Sequence, residues 1–183
     1  MNDLSGVVAT FEALLRISEI EGGARKSRFT DIDMKLVMLN VLDALQAVAE
    51  DAGHRMQNNL SSARPTLVRG DRELLSQLFA NLLENAICHC PRGSLIQVGL
   101  DETAGRSVAT ICDNGTGIPE AERVKVFQRL YRLEKSRSTP GSGLGLSLVA
   151  AIAELHGAEI AMADNDPGLR VTICFLPRSL EGV

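Results

Sequence analysis

The chain has 183 residues, 45% of them hydrophobic but only 3% aromatic, with no Trp and a formal net charge of −4. That length supports one substantial domain with room for an appendage, around a core that has to be aliphatic. The acidic balance argues against general nucleic-acid binding, and with no run of about 18 apolar residues and no signal-peptide pattern the chain is expected to be soluble and cytoplasmic, or the cytoplasmic part of a protein that spans a membrane.

Residues 4 to 22 read as an amphipathic helix. Leu4, Val7, Val8, Phe11, Leu14, Leu15 and Ser18 fall at three- and four-residue steps, and Gly22-Gly23 stops the run. The stripe predicts packing on another helix, in a partner chain or a missing segment, in preference to packing on the main domain. A basic connector (Ala24 to Arg28) puts the boundary between the two parts near residues 23 to 30. A second helix is expected from Met34 to Ala52, capped by Asp31 or Asp33. Thr66 to Val68 is a short strand, and Asp71 caps a third helix running to about His89. Leu95 to Leu100 and Ser107 to Cys112 alternate as strands of a hairpin around Thr103-Ala-Gly105. Pro119 and Glu120 open a short helix to about Phe127, and residues 128 to 142 read as irregular. A helix from Gly143 to His156, ended by Gly157, precedes strands Glu159 to Ala163 and Arg170 to Leu176 around Asp166-Pro167-Gly168. Helices among mostly hairpin-connected strands predict an α+β fold, with a helical layer on one face of a mixed sheet and one amphipathic helix before it.

The four cysteines (Cys88, Cys90, Cys112, Cys174) show no disulfide-framework spacing and are expected as free thiols. Cys88-His89-Cys90 does not suit a metal, because consecutive helical residues point about 100° apart.

Three segments carry candidate phosphate chemistry, in order across about 70 residues. On the third helix, Leu75, Leu78, Phe79, Leu82, Leu83 and Ala86 form an apolar arc, while Asn81, Glu84, Asn85 and Cys88 share the other side. Asparagine is a mediocre helix former, so two of them one turn apart suggest a use. An amide oxygen suits a hydrated Mg²⁺ that shares phosphate oxygens. A solvated face is the competing explanation. Asp113-Asn-Gly-Thr-Gly117 ends an apolar strand, where a buried carboxylate needs a donor such as an adenine amino group. The two glycines let the backbone approach a flat ring, although a simple turn uses the same residues. Gly141-Ser-Gly-Leu-Gly145 opens a helix, so its amides and the helix N-terminus make an anion site. It is neither a Walker A loop nor a dinucleotide fingerprint. Between the second and third segments, Arg123, Lys125, Arg129, Arg132, Lys135 and Arg137 place six of the 19 basic residues in fifteen positions. They form either a solvated face or a cationic lid over a triphosphate.

Together these residues resemble the ATP-binding domain of sensor histidine kinases, within the superfamily that includes DNA gyrase and the mismatch-repair ATPases. Asn81-Leu-Leu-Glu-Asn85-Ala resembles the N box, Asp113-Asn-Gly-Thr-Gly-Ile-Pro119 the G1 box, Phe127-Gln-Arg-Leu-Tyr131-Arg132 the F box and Gly141-Ser-Gly-Leu-Gly-Leu146 the G2 box. The likeness covers almost the whole chain and implies a Bergerat-type two-layer α/β sandwich. It implies residues 1–25 as the end of the dimerisation hairpin and 26–183 as the catalytic domain. It also implies Mg²⁺ on Asn85 with Asn81 assisting, adenine on Asp113, and a base pocket shaped by Gly115 and Gly117. Arg132 would approach the phosphates, and Gly141, Gly143, Leu144 and Gly145 would hinge a lid and contact them. ATP, a response regulator and a homodimer through the N-terminal helix are the implied partners. The superfamily's hydrolytic members carry a general-base Glu one turn before the Mg²⁺ asparagine, and Asn81 at that position favours phosphoryl transfer over hydrolysis. Cys88 stands where Lys or Arg is common, Cys90 replaces Ser or Thr, and Leu130 replaces the second F-box Phe. None of His54, His89 and His156 sits in the family's phosphoacceptor context, so the chain is expected to hold the donor half of a protein-histidine kinase. A degenerate docking module and a protein-serine kinase of anti-sigma type are the alternatives.

Overall fold

The computed structural model describes residues 11, 14–20, 22, 26, 28–60, 66–133 and 142–176. Helical residues 14–20 (α1) lead to β1 (Thr30–Asp33), α2 (Met34–Asp51), β2 (Arg55–Asn59), β3 (Leu67–Gly70) and α3 (Arg72–His89). The hairpin β4 (Leu95–Thr103) and β5 (Arg106–Asp113) follows, then α4 (Gly145–Leu155), β6 (Glu159–Asp164) and β7 (Leu169–Phe175).

Two of the long helices start on aspartate caps that satisfy N–H groups the helix itself leaves unpaired. Asp33 accepts from Lys35 N at 3.0 Å, and Asp71 accepts from Glu73 N and Leu74 N at 2.9 and 3.2 Å. The third, α4, has Leu144 at the capping position and no side-chain cap.

Five strands form one mixed sheet in the order β2-β4-β5-β7-β6, with β2 parallel to β4 and every other pair antiparallel. The β4–β5 turn works because Ala104 and Gly105 both take positive φ (53° and 73°), the geometry that matches strand twist in a two-residue hairpin. Alternation then sends Ile96, Val98, Leu100, Ala109, Ile111, Val171, Ile173 and Phe175 to one buried face. The helices α2, α3 and α4 pack as one layer over it, and α3 touches both of the others. Leu74, Leu75, Leu78, Phe79, Leu82, Leu83 and Ala86 of α3 are all buried there. Each of its large side chains contributes roughly 1.5–3 kcal/mol by leaving water, which makes α3 a rigid platform for whatever its other side carries. The expected two-layer α+β sandwich is therefore the observed architecture.

Four expectations change. Strands β1 and β2 are additions, the first paired with β3 in a separate two-stranded ribbon. Residues 120 to 127 form two single 3₁₀ turns, Glu120–Glu122 and Lys125–Phe127, instead of a helix, because Val126 alone is buried and one anchor cannot fix an amphipathic face. The last helix starts at Gly145, since Gly143 has φ +70° and cannot lie in a right-handed helix. Finally, α1 packs on the domain itself. Ile17 and Ile20 are 1% exposed within the shared core, and Arg16 reaches Gln77 at 2.8 Å and Glu73 at 3.5 Å on α3. The predicted stripe followed Leu14, Leu15 and Ser18 and passed over this second apolar line. Phe11 and Leu15 stay exposed, and Leu4, Val7 and Val8 lie outside the described residues.

At the far end of the helical layer, His156 ties three segments together. Its Nε2 accepts from Asp71 N at 3.0 Å, its Nδ1 donates to Ile152 O at 2.7 Å, and Phe29 stacks on the ring at a centroid distance of 4.6 Å. That pattern requires the neutral imidazole, and burial lowers its pKa accordingly.

Candidate functional site

The polar side of α3 divides in two. Glu84 and Cys88 are exposed, whereas Asn81 and Asn85 turn toward the start of α4. A Cβ placed on Gly145 would stand 3.7 Å from both Asn81 Oδ1 and Asn85 Nδ2. Both amide nitrogens, Asn81 Nδ2 and Asn85 Nδ2, are buried without a hydrogen-bond partner. Leaving such a group unmade costs about 1–3 kcal/mol. Two of them beside a helix N-terminus that has no side-chain cap form a place suited to phosphate oxygens, and a turned amide there offers a neutral oxygen to Mg²⁺. The donor set therefore fits the metal that the sequence implied.

Gly143 connects this place to the F-box segment. Its carbonyl accepts from Leu130 N at 3.1 Å, and a Cβ at Gly143 would lie 3.0 Å from Arg132 Cγ and 3.1 Å from Tyr131 O. Glycine is required by both its positive φ and this approach. The same contact holds Arg132 beside the end of α3. There His89 has a lowered pKa, through burial first and the nearby Arg132 charge second.

Asp113 ends β5 and is 8% exposed. Its Oδ1 accepts from Gly115 N at 2.8 Å and Leu169 N at 3.3 Å, while Asn165 Nδ2 donates to its backbone carbonyl at 2.9 Å. Burial first and the Asp113 charge second push the nearby Cys90 thiol up to about 12. Gly117 packs on Gly168, with a would-be Cβ 2.9 Å from the Gly168 carbonyl, and Gly168 in turn lies against the Asp113 backbone. The result is a carboxylate held at a strand end among closely packed glycine backbone.

The structure thus brings Asn81, Asn85, Leu144 and Gly145 together, sets Arg132 and Gly143 beside them, and places Asp113, Gly115 and Gly117 in a second cluster. Gly141, Lys135 and Arg137 lie outside the described residues. Two of the expected lid cations are engaged elsewhere. Arg123 bonds the Ile118 carbonyl and Asp164, and Lys125 pairs with Glu122. Sequence reasoning missed the partners of Asp113 on the β6–β7 turn (Asn165, Gly168 and Leu169), although Asp166-Pro167-Gly168 marked that turn. It also treated Cys90 only as a substitution.

Comparison with known proteins decides the family. Residues 70–180 match the model of the histidine kinase-, DNA gyrase B- and HSP90-like ATPases. The chain belongs to this family. The sensor-like histidine kinase SenX3 of Mycobacterium tuberculosis is 32% identical over 98% of the chain and 43% of its own length. The sensor protein SphS of Synechococcus elongatus is 32% identical over 84% of the chain and 39% of its own length. Among solved structures, the mycobacterial sensor histidine kinase MprB superposes with a TM-score of 0.69 at 30% identity, covering 80% of this chain and 96% of that one. Full-length ShkA in complex with AMPPNP has the same fold, with a TM-score of 0.80 at 18% identity over 92% of this chain and 35% of that one. The chain corresponds to the ATP-binding catalytic domain of sensor histidine kinases, and spans less than half the length of these curated relatives.

Proposed function

We propose that this chain is the Mg-ATP-dependent donor half of a two-component sensor histidine kinase, passing the γ-phosphoryl group to a histidine that is not one of its own three. The observation that carries this reading is the pair of partnerless buried amides, Asn81 Nδ2 and Asn85 Nδ2, beside the N-terminus of α4.

Asp113 would accept from the adenine amino group, with Gly115 and Gly117 against the ring. From there the phosphates run toward Asn81, Asn85 and the first N–H groups of α4. Mg²⁺ held by Asn85, with Asn81 assisting, would spread the charge of the β- and γ-phosphate oxygens, and Arg132 supports the same end. Phosphoryl transfer requires mainly such positioning and charge stabilisation. Asn81 has no basic group to take a proton from water, so the site favours a protein acceptor over hydrolysis.

The histidines of the chain do not serve as that acceptor. His54 is 4% exposed with Nε2 on the Ile87 carbonyl, and His156 is held on both ring nitrogens. His89 ends the same rigid helix that carries Asn85 and cannot swing into line with the γ-phosphate. A separate helical hairpin is the expected acceptor, a response regulator the next recipient, and a homodimer through the N-terminal helix the assembly. Exposed Phe11 and Leu15 support that docking role for α1. Among the described residues no helix is long and apolar enough to cross a membrane.

Labelled ATP tests the proposal. The chain alone should accumulate no acid-labile phosphohistidine, and adding a hairpin with the acceptor histidine from the same protein should restore transfer in trans. Rapid self-phosphorylation on His54, His89 or His156, or no transfer to the hairpin, overturns it.

A further inference from the structure

The segment that carries Arg132 holds a backbone conformation that its own side chains do not explain. Leu130 has φ +61°, in the left-handed region where a Cβ is penalised, yet its side chain is 58% exposed. Hydrogen bonds on either side supply the restraint. Leu130 N donates to Gly143 O at 3.1 Å, Tyr131 N donates to Gln128 O at 3.2 Å, and the Tyr131 hydroxyl donates to the Glu122 carboxylate. A backbone outlier held in place by its surroundings points to a use for the geometry.

Glu122 suits this task because its own place is fixed. It ends the 3₁₀ turn Glu120–Glu122, its N–H donates to Pro119 O at 2.8 Å, and Lys125 Nζ donates to its other carboxylate oxygen at 3.1 Å. The next residue, Arg123, donates through Nε to the Ile118 carbonyl at 3.0 Å and pairs with Asp164 of β6. One set of bonds thus runs from the turn after Asp113, through Glu122 and Tyr131, to the residue beside Arg132. From the opposite side Gly143 closes on the same segment. A Cβ there would lie 3.2 Å from the Leu130 carbonyl carbon and 3.0 Å from Arg132 Cγ.

We propose that Glu122 and Tyr131 are positioning residues for Arg132: the Tyr131 hydroxyl, anchored on Glu122, holds the left-handed turn at Leu130 against Gly143 and so aims the guanidinium at the terminal phosphate of a bound triphosphate. Without the anchor Leu130 relaxes to the backbone conformations that L-residues prefer, and Arg132 loses its direction. The base and the inner phosphates keep their other contacts, so the loss falls on the third phosphate. The inference rests on the reading of Arg132 given above.

The experiment measures affinities for AMPPNP and ADP with Mg²⁺, by competition against a fluorescent ADP analogue. Wild type should prefer AMPPNP, and Arg132→Ala should cut that preference about tenfold. Tyr131→Phe and Glu122→Ala should each cut it about threefold or more, while Glu122→Gln, which keeps an oxygen for the hydroxyl, should stay within about twofold of wild type. Tyr131→Phe combined with Arg132→Ala should lose no more than Arg132→Ala alone, because the hydroxyl acts only through the guanidinium. A change in overall stability would not alter a ratio of two affinities, nor would it spare the double variant.

An unchanged preference in Tyr131→Phe, with a loss in Arg132→Ala, overturns the positioning role and leaves Arg132 at the phosphates. Losses that multiply in the double variant overturn it as well. An Arg132→Ala protein with the wild-type preference overturns the phosphate reading of Arg132, and the proposal with it.

Discussion

The two halves of the site are built to different standards of completeness. Around Asp113 the polar atoms discussed have partners, supplied by Gly115 and by Asn165 and Leu169 of the β6–β7 turn, with Cys90 packed alongside. Around Asn81 and Asn85 two amide nitrogens have none, and the adjoining helix has no side-chain cap. The proposed base-binding half is thus set without a nucleotide. In the proposed phosphate-binding half, nucleotide oxygens would supply the partners that the two amides lack, and so favour binding over the empty state. Substitutions should therefore act in opposite ways in the two halves.

The largest effect is expected in the preset half, at Gly168. Its φ is +108°, and an added Cβ would lie 1.9 Å from the Asp113 carbonyl oxygen. Gly168→Ala should lower unfolding free energy by about 3–4 kcal/mol even without ligand, as read by urea denaturation. A variant as stable as wild type would show that the Asp113 backbone is not fixed as described.

Asp113→Asn comes next. It places an amide donor against the adenine amino donor and against Gly115 N, and should weaken ADP binding by about 1–3 kcal/mol. Calorimetry on both proteins measures this, and equal affinities would remove Asp113 from base recognition.

Asn85→Ala should behave in the reverse manner. Removing an amide that has no partner should change the stability of the free protein by less than about 1 kcal/mol, and it can increase it. The Mg²⁺ dependence of triphosphate binding should be lost while ADP binding without metal persists. Melts combined with ATP titrations at several Mg²⁺ concentrations decide the matter. A retained metal effect assigns Mg²⁺ to other ligands.

The smallest effect lies at His156, far from both halves but bonded to the N-terminus of α3 and the C-terminus of α4. The folded protein holds its pKa below the ordinary 6.5, chiefly by burial. The unfolded chain therefore takes up the proton first. This contribution to stability is complete above about pH 6.5 and is lost as pH falls below that value toward the depressed folded pKa. Urea midpoints between pH 7.5 and 5.5 should decline for wild type, and more gently for His156→Gln.

Elements that announce themselves locally were legible in the sequence. Asp71 before a run of leucines, the Ala-Gly turn of the β4–β5 hairpin and the apolar alternation of β4, β5 and β7 each depend on neighbours within a few residues. The strand β2, Arg55-Met-Gln-Asn-Asn59, was not legible. Four of its five residues are exposed, and its pairing is parallel to a strand 40 positions on, so neither alternation nor a turn marks it. The site divides along the same line. Asn81 and Asn85 could be placed on one face by helical arithmetic alone. The companions of Asp113 could not, because Cys90 comes from the end of α3 and Leu169 from a strand 56 residues away, and only the folded sheet brings them to one carboxylate.

Gly145, the first residue of α4, carries a further consequence. A methyl group there would meet nothing closer than 3.7 Å and no positive φ is involved, so the protein alone could accommodate alanine without strain. Alanine is also the better helix former, by up to about 1 kcal/mol. The sequence forgoes that stability and keeps open a gap the width of one methyl group between α4 and the two asparagines. On the proposed function, stability and activity pull in opposite directions at this position, and an engineer seeking a hardier version of the domain would be led by folding criteria to the substitution that fills the proposed phosphate site.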